Sequence, residues 1–128
     1  MAKLEEMTPG ASVKGILADG PVSILGVTDP DGDEVIITIE NIFQDEPVDE
    51  SGSGQFAPDG AGMCTSTAWL RAERAGSGNG RVYHISFAAN DGNGGACWGE
   101  VRVGVPHSQG RRGVPLDDGP LYDSTVPY

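Results

Sequence analysis

Between Gly76 and Val105 the sequence passes twice from turn signal to strand signal, and this rhythm limits the fold more than any other feature. Gly76-Ser77-Gly78-Asn79-Gly80 is a dense turn cluster. Arg81 to Ala89 follows, with Tyr83, Ile85, Phe87 and Ala89 on one side and His84, Ser86 and Ala88 on the other. A period of two is the signature of a strand, whose successive side chains point to opposite faces. Asn90 to Gly95 turns again, and Ala96 to Val105 returns with Val101, Val103 and Val105 facing inward. The segment is expected to be a hairpin.

Shorter versions of the same pattern cover much of the chain. Ser12 to Leu17, Val22 to Val27 and Thr65 to Arg74 read as strands, the last with Ala68, Leu70 and Ala72 on one face. Glu34 to Phe43 alternates with Val35, Ile37, Ile39 and Phe43 inward, which leaves Ile36 and Ile42 on the outer face. Gln44 to Gly62 reads as a long acidic loop with room for one short paired segment, and Asp45, Glu46, Asp49, Glu50 and Asp59 are expected in solvent. Residues after Pro106 lack a sustained period and are expected to be unstructured or loosely docked. Twenty glycines and 9 prolines beside 38% hydrophobic residues suit many short strands joined by turns.

These signals predict an all-β fold resembling an immunoglobulin-like β-sandwich of about seven antiparallel strands, with a small barrel as the competing architecture. Tyr83, just inside a strand after a glycine turn, resembles a tyrosine corner, in which the phenol oxygen bonds back to the main chain. Three segments follow: a leader or extra strand at 1–21, the module at 22–106 and a polar tail at 107–128.

The stretch Val27 to Ile39, VTDPDGDEVIITI, carries the main candidate site. In a sandwich of this kind its loop and the Asn90–Gly95 turn lie at one end, so Asp29, Asp31 and Asp33 would meet Asp91. Calcium takes roughly six to eight oxygens, and alternating aspartates around Gly32 deliver them. A metal-free turn is the other reading, because Pro-Asp-Gly turns well and Asp side chains bond nearby backbone N–H groups. An EF-hand is excluded: its twelfth ligand would be Glu40, inside a strand, and no helices flank the loop.

The formal net charge of −11 argues against nucleic acid or anionic membrane partners. No apolar run approaches the roughly 20 residues of a membrane span, and the first ten residues lack the apolar core of a signal peptide. With no CxxC and no Cys/His cluster a zinc site is not expected; as a disulfide Cys64 and Cys97 would close a loop of about 33 residues, worth roughly 3–4 kcal/mol. Two separate thiols are the alternative. Trp69 and Trp98 fall on outward positions, where an exposed ring can stack on a sugar or anchor a protein. If Thr65–Arg74 and Arg81–Ala89 form a plain hairpin, the two rings flank Ala88 on one surface; if the Gly76–Gly80 turn crosses between sheets, the preferred case, they lie on opposite faces. Ser66 or Ser86 beside His84 does not amount to a nucleophile elbow, so no catalysis is expected.

Taken together, VTDPDGDEVIITI and RVYHISFAANDGNGGACWGEVRVGV resemble bacterial cadherin-like and PKD-like repeats of the immunoglobulin-like superfamily, over residues 22–106. The resemblance implies a non-catalytic spacer or adhesion unit of a secreted or cell-surface protein. Its partners would be neighbouring modules, surface proteins or glycans. Residues 3–21, KLEEMTPGASVKGILADGP, are similar to the leaders of bacterial Swi/Snf-type helicase proteins, which implies an intracellular interaction domain instead. No GxxxxGK[ST] motif accompanies that leader.

Overall fold

The computed structural model describes residues 12–13, 20–24, 27–48, 57–107 and 115–126. Among them there are eight strands and no helix. In chain order these are β1 (Ser12–Val13), β2 (Gly20–Ser23), β3 (Ile36–Gln44), β4 (Gly60–Ala61), β5 (Thr67–Leu70), β6 (Arg81–Asn90), β7 (Ala96–Val105) and β8 (Tyr122–Asp123). No described helix is long and apolar enough to cross a membrane. The leader resemblance at 3–21 lies almost wholly outside the described residues.

The expected hairpin forms the centre of the larger sheet, with β6 and β7 paired from Arg81↔Val105 to Asn90↔Ala96. That sheet has the order β1-β7-β6-β3-β8, and a smaller one has the order β2-β5-β4. All pairings are antiparallel except β1, which runs parallel to β7. The expectation of purely antiparallel strands is corrected at that edge. Both sheets feed one apolar core: Val22, Ala68 and Leu70 from the smaller, and Ile39, Ile42, Tyr83, Ile85, Phe87, Ala89, Val101 and Val103 from the larger.

Strand β3 departs from simple alternation. Its register against β6 slips by one residue between Ile39 and Asn41. A bulge of this kind inserts one residue and reverses which side chains face inward beyond it. Ile42, expected outside, is therefore fully buried, while Phe43, expected inside, is only half-buried.

The period of β6 also puts Arg81 on the inner face with Tyr83 and Ile85, where it is wholly buried. Its Nε lies 3.1 Å from Glu46 Oε2 and its Nη1 2.8 Å from Asp59 Oδ2. Gln44 Nε2 donates to the same Asp59 oxygen at 2.9 Å. The acidic loop reading is thus corrected: Asp45, Glu46 and Asp59 are buried, Glu46 and Asp59 because the interior guanidinium requires anionic partners, Asp45 with its Oδ1 accepting from Val82 N–H at 2.8 Å. Asp49 and Glu50 lie outside the described residues. The Tyr83 hydroxyl donates to the Arg71 carbonyl at 2.8 Å, the backbone contact expected of a tyrosine corner. Burial pushes this phenol well above its ordinary pKa.

Residues 115–126, read as a loose tail, are docked as a strap. Its end adds β8 to the edge of β3, opposite Phe43 and Gln44. Leu121 N–H donates to the Gln44 carbonyl at 3.1 Å and Ser124 N–H to the Ile42 carbonyl at 2.9 Å. Its start, Pro115, rests where Gly80 and Gly104 leave room; a Cβ on either glycine would come within 2.6 Å of the proline ring. Sequence periodicity does not register such docking, because a strap of two paired residues has no period.

Candidate metal centre

Ile36 opens β3 directly opposite Asn90, the last residue of β6. The loop before β3 and the turn after β6 therefore leave the sheet side by side. This adjacency brings the aspartates of two distant segments to one end of the fold.

The first loop is shaped by its own side chains. Asp29 Oδ1 accepts from Asp31 N–H at 2.8 Å, and Gly32 N–H donates to the Asp29 carbonyl at 3.0 Å. Gly32 takes a φ of +82°, a conformation that favours glycine. The second loop is built the same way: Asp91 Oδ1 accepts from Asn93 N–H at 2.7 Å and from Gly95 N–H at 2.8 Å. A side-chain bond crosses between the loops, from Asn93 Nδ2 to Asp33 Oδ2 at 3.0 Å.

Carboxylate oxygens of Asp29, Asp31 and Asp33 lie within 4.8 Å of one another, a cluster that can hold a metal ion. Asp31 and Asp33 are exposed, and Asp29 is 8% exposed. Asp91, 5% exposed, stands beside Asp29, and the two carboxyls influence each other's ionisation. Each of these two spends Oδ1 on its own loop, and each keeps a buried Oδ2 with no hydrogen-bond partner. Adjacent buried carboxyls do not both ionise readily. The Asp31 N–H favours the Asp29 carboxylate, but burial, Asp91 and Asp33 together outweigh it and raise its pKa. Asp91 goes the other way, lowered chiefly by the Asn93 N–H and further by Gly95 and Asp29. The two neighbouring carboxyls are thus biased in opposite directions, Asp29 toward its neutral form and Asp91 toward its charged form.

The other candidates resolve differently. Cys64 and Cys97 are not bridged. Cys64 N–H bonds the Ile39 carbonyl on the edge of β3, whereas Cys97 pairs with Ala89 on the far side of β6. At least two strand spacings, roughly 10 Å, separate them, beyond the roughly 7 Å reach of a disulfide. Trp69 and Trp98 are 56% and 66% exposed, and they stand on different sheets. Trp69 lines a hollow of about 290 Å³ with Pro58, Asp59, Gly60, Ala61 and Arg71. Sequence reasoning missed Asn93, which ties the two loops together. It also missed the partners of Arg81, although an arginine in phase with Tyr83 and Ile85 was a legible sign of a buried charge.

No protein-family model matches this chain, and no curated protein or solved structure matches it either.

Proposed function

We propose that the chain is a non-catalytic structural module, an immunoglobulin-like sandwich stiffened by calcium at its acidic end, serving as a spacer or adhesion unit in a secreted or surface protein. Strand order supports the fold: β3, β6 and β7 in one sheet and β2, β5 and β4 in the other match six strands of the constant-type grouping, with β1 departing from it by pairing with β7 instead of β2. The contact between Tyr83 and Arg71 supports it independently. One observation carries the calcium reading: the unpartnered, buried Oδ2 atoms of Asp29 and Asp91 beside two exposed aspartates. A hard cation of flexible geometry suits such an oxygen set, with water completing the shell.

Thermal unfolding at fixed ionic strength tests this. A cation held only by the folded chain, at a hundred times its Kd, raises Tm by roughly 10 °C for a domain of this size. The increase is expected with calcium and absent with chelator, and Asp29→Asn should abolish it. Identical melting in calcium and in chelator refutes the reading.

The hollow beside Trp69 favours a second role, glycan binding, since an exposed indole can stack on a sugar ring. Quenching or blue-shift of tryptophan fluorescence by oligosaccharides, lost in Trp69→Ala, would support it. Silence across a glycan array would remove it.

A further inference from the structure

We propose that His84, Glu100, Arg102 and Asp117 form a proton-operated latch that holds the C-terminal strap, residues 115–126, against the larger sheet. His84 points to the outer face of β6, yet it is only 3% exposed because the strap covers it. Its Nδ1 lies 2.9 Å from Glu100 Oε1 and its Nε2 lies 2.8 Å from Asp117 Oδ1. Carboxylates only accept, so both ring nitrogens must donate, and only the imidazolium does that. Arg102 closes the cluster, with Nε 3.1 Å from Glu100 Oε1 and Nη1 3.1 Å from Asp117 Oδ2.

The charges balance only while the imidazole is protonated: two cations face two anions. A neutral ring has one N–H, and its other nitrogen would turn a lone pair toward a carboxylate with little water to relieve it. Among the described residues, the groups facing His84 are Glu100 and Arg102 from β7 and Asp117 from the strap. Its neighbour on β3 is Phe43, which carries no charge. Asp45 and Asp118 lie one step further out, joined by a bond from Asp118 N–H to Asp45 Oδ2 at 3.3 Å.

Asp117 ties this part of the strap to His84 and Arg102, between the Pro115 seat and β8, while the adjacent Asp118 Oδ2 accepts from Asn79 Nδ2 at 2.9 Å. Loss of the proton therefore acts on the strap while leaving the β6–β7 ladder intact. Release uncovers the seat at Gly80 and Gly104 and the β3 edge at Phe43 and Gln44.

Amide hydrogen exchange of the full chain, read by NMR at pH 5.5 and 8.5 and corrected for intrinsic rates, tests the latch. The amides of Leu121 and Ser124 should lose about tenfold or more of their protection at pH 8.5 relative to the β6–β7 amides. Nitrogen-15 spectra at pH 5.5 should show protons on both His84 ring nitrogens. His84→Gln should give weak protection of the strap amides at both pH values. Asp117→Asn, which leaves β6 untouched, should do the same if the glutamine variant does not fold. Equal protection at both pH values, a pH response that survives either variant, or a single ring proton at pH 5.5 would each overturn the proposal.

Discussion

Replacing Arg81 by methionine should be among the most damaging single changes outside the apolar core, and its cost should depend on pH. Arg81 is fully buried and ion-paired to Glu46 and Asp59, which are themselves nearly excluded from solvent. Removing one partner of a buried pair leaves uncompensated charge and costs about 3–5 kcal/mol. A chain of 128 residues has a total stability of roughly 6–19 kcal/mol, so the loss is a large fraction. Tm should fall by roughly 11–19 °C.

The pH dependence follows from Asp59. Burial raises its pKa above the ordinary 3.8, against the opposing influence of Gln44 and Arg81. Without Arg81 it must rise further. A carboxyl whose folded pKa is raised loses stability as pH increases from its unfolded value through its folded value. The deficit of Arg81→Met should therefore be largest at pH 7 and shrink as pH falls toward 4. Adding Asp59→Asn should recover part of the loss at pH 7, because one stranded charge is removed. Urea unfolding of the parent, the single variant and the double variant at both pH values measures this. A deficit under 1 kcal/mol at pH 7, or one equal at both pH values, would refute the buried-pair reasoning.

Ile42→Ala should cost about 2–5 kcal/mol in denaturant unfolding, whereas the half-buried Phe43 should tolerate alanine better; the reverse order would disprove the bulge in β3. Gly104→Ala should lift the strap, since its Cβ would fall 2.6 Å from Pro115 Cγ, and exchange at Leu121 and Ser124 should quicken while the hairpin stays protected. Burial pushes Glu100 and Asp117 upward, but hydrogen bonds from His84 and Arg102, with the Gly119 N–H on Asp117, outweigh it and leave both pKa values lowered. Their contribution is present above the ordinary values of 4.5 and 3.8 and is lost as pH falls through the folded ones, so strap protection should also drop in strong acid.

The sequence alone determined what is local. Alternation from Arg81 to Ala89 and from Ala96 to Val105 specified the hairpin, because side-chain period and strand geometry are the same fact. Glycine-rich turns marked its ends, and the Asp29–Asp33 spacing marked an oxygen-rich loop before any fold was known. Only tertiary structure decided what is non-local. A one-residue bulge reversed the faces of Ile42 and Phe43. Burial of Arg81 turned Glu46 and Asp59 from loop acids into interior partners. The strap converted His84 from an outward side chain into a covered one.

Neighbouring strands β3 and β6 leave the sheet together, so Asp29 and Asp91, 62 positions apart in the chain, stand at one end of the fold and influence each other's ionisation. Periodicity records which way a residue points, but burial and ionisation depend on what arrives to cover it, and that is settled by chain segments far away in sequence.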